Sequence, residues 1–250
     1  MNGHDIGILP ARVDATESLK AKQALSESGA VILTNLPPTP DALVVAAAHL
    51  YGHNLRQIFP VRERQSHDGD LVHLHADSFD QVVDIGGIPN RRRDPDEDGV
   101  LIQCVSPPTS GGDSFLADAY RFVDTCADAD LVEFLTGADV DLYGEWAGLR
   151  GLPAMPRVAR HVEYTRTGRR IVRRTDGAVP LHRDPGADEI RVMLERFEHT
   201  VRQLERELPR FTLTEGEILA VDNYRCWHGR DAHTGDRTVR ILTLLTAAAR

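Results

Sequence analysis

The chain of 250 residues has little cysteine, almost no lysine and no long apolar run. Its three cysteines, Cys104, Cys126 and Cys226, are odd in number and lack metal-ligand spacing. That excludes a disulfide framework and a zinc ribbon, and leaves reduced, partly buried thiols as the expectation. No apolar stretch approaches the roughly 20 residues needed to span a bilayer. The N-terminus, Met1-Asn2-Gly3-His4-Asp5, has no basic-then-apolar leader pattern, so the expected location is cytoplasmic. The two lysines, Lys20 and Lys22, reflect composition rather than chemistry. A net charge of −9 disfavours nucleic acid and anionic membranes as partners and leaves a small molecule as the expected ligand; oligomeric state is not legible.

What is present is a core and a patterned succession of elements. A compact chain of this length buries roughly 70–75% of its unfolded surface, and 41% apolar residues supply the material. A helix is expected over 16–28 and a strand over Gly29–Leu36; Pro37-Pro38-Thr39-Pro40-Asp41 then punctuates and caps a helix through about His49. Leu71–His75 alternates like a strand. From Ser78 to Asp98 the pattern breaks at Gly86-Gly87, Pro89 and a charged run, which predicts an irregular loop, a lid at 78–99. Within it, Arg91-Arg92-Arg93 reads as a solvated face balanced by Asp94, Asp96, Glu97 and Asp98.

Val100–Val105 reads as a buried strand, and Pro107-Pro108 and Gly111-Gly112 turn into a short strand near Ser114–Leu116, followed by a helix. Segments 158–165 and 170–174 flank Thr167-Gly168 as a hairpin. One apolar stripe, Ile190, Met193, Leu194, Phe197, Val201, Leu204 and Leu208, marks a helix over Ala187–Leu208. Glu217–Asp222 and Arg237–Thr246 close the chain as strands. Strands dispersed along the whole length favour one mixed domain over 1–250.

Two His-x-Asp pairs stand out, His75-Ala76-Asp77 and His182-Arg183-Asp184. Chance alone predicts about one from 11 histidines and 24 aspartates. The spacing matters because alternate residues of a strand share a face, so an imidazole and a carboxylate can share a metal. A histidine from a distant strand completes a two-histidine, one-carboxylate face with open positions opposite. Asp184 precedes Pro185 and the long helix, where it better serves to end a loop or start that helix. His75 and Asp77 end a strand and are the favoured pair; His73 reads as a supporting or core histidine.

Near the C-terminus, Asp222-Asn223-Tyr224-Arg225-Cys226-Trp227-His228-Gly229-Arg230 places a histidine on a strand, with Arg237 and Arg240 nine and twelve residues later. A metal site beside a carboxylate clamp suits this pattern, and Trp227 reads as packing beside it, His233 as a loop residue.

In order, the Gly29–Leu36 strand with its proline-rich exit, His75-Ala76-Asp77-Ser78-Phe79, Pro107–Ala117 with Gly-Gly-Asp-Ser, and Asp222-Asn223 through His228-Gly229-Arg230 to Arg237 resemble the Fe(II)/2-oxoglutarate-dependent dioxygenases of the taurine dioxygenase (TauD/TfdA) and clavaminate synthase-like superfamily. The resemblance covers about residues 16–246. It implies a mixed α/β fold with a mainly β core, a double-stranded β-helix (jelly roll, cupin-like) flanked by helices. It implies Fe(II) held by His75, Asp77 and His228, with 2-oxoglutarate and O2 as co-substrates.

The far carboxylate of 2-oxoglutarate calls for a fixed cation and a hydroxyl, since a guanidinium fork holds a carboxylate through two charge-assisted bonds. Arg237 or Arg240 supplies the fork; three residues apart on a strand, they face opposite ways. Arg237 is favoured because its Asp-Arg pattern resembles clavaminate synthase-like relatives, and the loser is left to a surface ion pair with Asp236. Ser114 stands where relatives carry threonine and supplies the hydroxyl. Asp77 argues against halogenation, for which family members replace the acid. The resemblance implies hydroxylation of a C–H bond by default, with desaturation or cyclisation as other outcomes. An amino acid or amino-acid-derived intermediate of specialised metabolism is the expected substrate, with Asp176 as a substrate-facing acid. The alternatives are a sulfonate or other small acid, or a metal-binding sensor without turnover.

Overall fold

A computed structural model describes residues 2–94, 97–146 and 155–250. A short helix α1 (Gly3–Ile6) leads into β1 (Ala11–Asp14), α2 (Ser18–Ser28), β2 (Ala30–Thr34) and α3 (Pro40–Tyr51). Four strands follow, β3 (Leu55–Ile58), β4 (Arg62–Gly69), β5 (Val72–His75) and β6 (Phe79–Ile85), then β7 (Ile88–Asp94), β8 (Gly99–Ser106), β9 (Ser110–Gly111) and β10 (Ser114–Asp118). Helices α4 (Ala119–Thr125) and α5 (Ala129–Gly137) precede the short strands β11 (Val140–Asp141), β12 (Val158–Ala159), β13 (Val162–Tyr164) and β14 (Arg170–Val172). After α6 (Ala187–Glu205) come β15 (Arg210–Phe211), β16 (Ile218–Asp222), β17 (Cys226–Arg230) and β18 (His233–Thr246).

Two sheets form the core. The larger runs β1-β2-β16-β8-β18-β3, with β4 and β9 also paired to β18; the smaller runs β15-β10-β17-β5. Strand alternation sends successive side chains to opposite faces, and the three apolar clusters follow that parity. Val31, Leu33, Leu101, Ile218, Ala220, Leu242 and Leu244 pack outward under α2 and α3. Their neighbours Ile32, Cys104, Leu219 and Val221 point inward, where they meet Leu116 and Cys226 of the smaller sheet. On the outer face of that sheet, Leu74, Phe115, Ala117 and Trp227 meet Phe122, Leu131 and Phe197 of the later helices. The fold is therefore a jelly roll with helices on both outer faces, in agreement with the architecture that the sequence resemblance implies.

Local signals explain most elements. Thr39 caps α3 by accepting from the Ala42 N–H, with Pro40 in the first turn where its missing donor costs nothing. On α6, Phe197, Val201 and Leu204 are buried and Ile190, Met193 and Leu194 lie against the same cluster. Burying each large side chain there contributes roughly 1.5–3 kcal/mol. The hairpin around Gly168 forms as β13 and β14.

The stretch expected to be an irregular lid loop is instead, over 79–94, the antiparallel hairpin β6–β7. Ile85 pairs with Ile88 around Gly86-Gly87, whose φ angles of 62° and 83° meet the demand of a two-residue turn for left-handed backbone. Pro89 and the arginines masked the alternation; in a two-stranded ribbon a proline sits on an unpaired edge. The charged run is a solvated face only in part: Arg92 is exposed, whereas other members are buried. Arg91 is buried and donates to the Trp146 carbonyl, and Asp98 is a buried partner of Arg169 at 2.5 Å. Pro95 and Asp96 lie outside the described residues.

Candidate active site

β5 and β17 are neighbours in the smaller sheet, and their register sets His75 directly opposite His228. Asp77 lies just beyond β5. Asn223 holds it there: its Oδ1 accepts the Asp77 N–H at 2.8 Å, while its Nδ2 donates to the carbonyls of Asp77 at 3.0 Å and Glu97 at 2.8 Å. His75 Nε2 lies 3.7 Å from Asp77 Oδ1, and His228 Nε2 lies 3.8 Å from Asp77 Oδ2. The two imidazole centroids are 4.4 Å apart.

These separations exceed hydrogen-bond length, yet one atom from each residue falls within 4.8 Å of the others. Asp77 Oδ2 is buried with no hydrogen-bond partner, a costly state for a carboxylate oxygen unless a cation meets it. The His75 Nδ1 sits 2.9 Å from the His73 carbonyl, which can only accept, so the proton resides on Nδ1 and the Nε2 lone pair faces Asp77. Two imidazoles and one carboxylate on one side of an empty space are the donor set of a facial metal triad.

The charges agree with ligation. Burial opposes ionisation of Asp77, but the imidazoles of His75 and His228 outweigh it and hold the carboxyl well below its ordinary value. Burial and the neighbouring His75 push His228 down to about 4, leaving it neutral at neutral pH. For His75, burial is outweighed by Asp77, which raises its pKa.

Two cavities flank the triad. The first, about 360 Å³, is lined by the three residues together with Ser66, Ser114, Arg230 and Arg237. Arg237 makes no hydrogen bond or ion pair among the described residues. Burial and the nearby Arg230 push its guanidinium down to about 10, the signature of a cation lacking its anion. Arg230 is itself pinned by the carbonyls of Asp231 at 2.7 Å and Asp70 at 2.9 Å. Arg240 is not in this cavity: it pairs with Glu63 at 2.9 Å and donates to the Pro38 carbonyl at 2.5 Å. Asp236, expected to pair with one of the arginines, instead meets His67 at 2.7 Å.

The second cavity, about 420 Å³, shares His75, Asp77, Arg64 and Ile241 with the first and adds Arg174, Asp176 and the stacked rings of Tyr143 and Trp146. Arg174 is fully buried and paired with Glu198, its Nε unpartnered. Asp176 is exposed at the rim. The rival pair lies elsewhere. His182 and Asp184 border a larger cavity of about 690 Å³ that shares no residue with the triad. Asp184 accepts the Gly186 N–H at 2.8 Å and so shapes the turn into α6.

The sequence model of the taurine catabolism dioxygenase TauD, TfdA family matches residues 8–245. The chain belongs to this family. Among solved structures, this TauD/TfdA member is similar to a taurine dioxygenase from Burkholderia xenovorans, with TM-score 0.63 and 18% identity over 97% of this chain and 90% of that one. It is also similar to AAD-2 in complex with Mn(II) and N-oxalylglycine, with TM-score 0.61 and 14% identity over 95% and 93% of the two chains. For PvcB from Pseudomonas aeruginosa the TM-score is 0.60 and the identity 16%, over 95% and 85%. No curated protein sequence matches.

Three residues escaped the sequence reading. Asn223, quoted only as part of a motif, anchors Asp77. Arg64 borders both cavities because β4 pairs with β18 in a register that puts Arg62, Arg64 and Ser66 opposite Ile241, Val239 and Arg237. Alternation of 62, 64 and 66 was visible, but not which face looks inward. His233, expected in a loop, starts β18 as a buried residue with Nε2 3.0 Å from Ser66 Oγ.

Proposed function

We propose that this TauD/TfdA family member is an Fe(II)- and 2-oxoglutarate-dependent dioxygenase that oxidises a C–H bond of a small molecule, hydroxylation being the default outcome. One observation carries the reading: a two-histidine, one-carboxylate triad shares a cavity with a half-buried guanidinium that pairs with no acid among the described residues. His75 Nε2, Asp77 and His228 hold the iron. Arg237 receives the far carboxylate of 2-oxoglutarate, with the Ser114 hydroxyl beside it. The bound iron supplies oxidation by O2 coupled to decarboxylation of 2-oxoglutarate to succinate and carbon dioxide. AAD-2, of similar fold, was solved with Mn(II) and N-oxalylglycine, which has the oxo-acid and carboxylate ends of 2-oxoglutarate.

The second cavity receives the molecule to be oxidised. Arg62, Arg64 and Asp176 give its wall charges of both signs beside the Arg174–Glu198 pair, and Tyr143 with Trp146 gives it a flat apolar side. Opposite charges suit an amino acid or an amino-acid-derived intermediate of specialised metabolism. A sulfonate is the second reading, favoured by the taurine dioxygenase of similar fold. Anaerobic addition of Fe(II) and 2-oxoglutarate tests the assignment through the weak visible absorption of a chelated 2-oxo acid. Absence of that band in the wild-type protein sinks it, and succinate release over a panel of amino acids and sulfonates then separates the two substrate readings.

A further inference from the structure

We propose that Glu205, at the C-terminal end of α6, is a positioning residue for the iron ligand His75. It acts through the backbone of β5, and the proposal rests on the metal site proposed above. Both carboxylate oxygens are committed to that strand. Oε2 accepts the Leu74 N–H at 2.8 Å, and Oε1 lies 2.8 Å from His73 Nδ1. The His73 carbonyl in turn accepts from His75 Nδ1 at 2.9 Å. Glu205 therefore holds the N–H of the same peptide whose carbonyl decides which imidazole nitrogen of His75 carries the proton, and the side chain of the residue that bears that carbonyl, and so sets which nitrogen is left for the metal.

The placement of Glu205 runs against ordinary helix and burial preferences. It is 3% exposed, and it stands in the last turn of a 19-residue helix, where the helix dipole disfavours an anion. A buried carboxylate at that end is tolerated only when fully hydrogen-bonded, and every bond it makes goes to the ligand strand rather than to α6. The same helix reaches the strand again one turn pair earlier. Glu198 pairs with Arg174, whose carbonyl accepts the Ala76 N–H at 3.0 Å. The backbone on both sides of His75 is thus held from α6, and Glu205 is the residue of that helix that hydrogen-bonds to β5 directly.

The test compares wild type with Glu205→Met and Glu205→Gln. Met removes both acceptors at similar length, whereas Gln keeps an oxygen for the Leu74 N–H. Mn(II) affinity is measured by calorimetry, and the ring nitrogens of His75 are read by long-range ¹⁵N spectra of the metal-free protein. Wild type is expected to show the Nδ1–H form. Glu205→Met is expected to bind Mn(II) about 10–100-fold more weakly and to show mixed ring forms, while Glu205→Gln stays within about threefold of wild type with the Nδ1–H form kept.

A folded Glu205→Met protein with the wild-type ring form and affinity overturns the proposal, as does a Gln variant that loses as much as Met. If Glu205→Met fails to fold, a wild-type His75 protonated on Nε2 still overturns it. A wild-type protein that binds no Mn(II) overturns the metal-site reading itself. Tight wild-type binding matched by the Met variant overturns only the role of Glu205.

Discussion

Arg237 and Arg240 lie three residues apart on β18 and serve opposite faces of the sheet, the first lining the triad cavity and the second paired with Glu63. Of the two, Arg237 is the one placed to meet an anion near His75, Asp77 and His228. Arg237→Gln is expected to weaken 2-oxoglutarate binding by one to two orders of magnitude, since a charge-assisted bond contributes roughly 1.5–3 kcal/mol. Arg240→Gln removes a rim ion pair worth about 0–1 kcal/mol of stability and leaves that affinity unchanged. Titration of 2-oxoglutarate into the Mn(II)-loaded proteins checks both, and equal losses would count against the assignment.

The two His-x-Asp pairs differ in the same decisive way. His75→Ala, Asp77→Ala and His228→Ala are each expected to abolish the visible band formed anaerobically with Fe(II) and 2-oxoglutarate. His182→Ala is expected to keep it, because His182 borders a cavity that shares nothing with the triad. The reverse pattern would move the site to the turn before α6.

His161 provides a pH dependence independent of metal. It is fully buried between Phe134 and Phe197, with Nδ1 donating to the Arg173 carbonyl at 3.0 Å. Burial pushes it from the ordinary 6.5 down to about 4. The unfolded chain therefore takes up a proton below pH 6.5 that the fold refuses until about pH 4. Its contribution is a loss of stability that sets in as pH falls through 6.5 and is complete near 4, amounting to on the order of 3 kcal/mol. Urea unfolding of the metal-free protein at pH 7 and pH 5 should show a smaller drop for His161→Gln than for wild type.

Gly229 follows His228 of the triad at a crowded point of β17. A Cβ there would meet the Phe115 ring at 2.2 Å and the Val72 carbonyl oxygen at 2.7 Å, and the latter is backbone of the strand that carries His75. Gly229→Ala is expected to cost about 1–3 kcal/mol by overpacking and to weaken Mn(II) binding by prising β17 from β5. Thermal unfolding with calorimetry tests the pair; a variant of wild-type stability would show that the strands yield more easily than their packing implies.

The sequence carried the triad less through the His-x-Asp spacing, which chance supplies about once, than through the strand end on which His75 and Asp77 fall and the resemblance that adds His228. It carried the jelly roll through the resemblance and the order of strands. The hairpin over 79–94 was hidden by Pro89 and by charges that ordinarily mark solvent, although Gly86-Gly87 held the information for a tight turn. Choosing between Arg237 and Arg240 needed the inward face of β18, which their spacing alone does not encode. Glu205 was invisible for a different reason: on an amphipathic helix rich in surface acids, nothing local distinguishes the one carboxylate that turns toward β5.

The β4–β18 ladder separates two kinds of heredity within one site. His228 and Arg237 lie on β17 and β18, each paired on both sides, while His75 ends β5 at the edge of the smaller sheet and Asp77 follows it. Arg62 and Arg64 ride on β4, whose pairing in the larger sheet is to β18 alone among the described residues. Under the proposed function, a change at Arg62 or Arg64 alters the wall of the substrate cavity while His75, Asp77, His228 and Arg237 keep their places, so the molecule accepted can change without the chemistry changing.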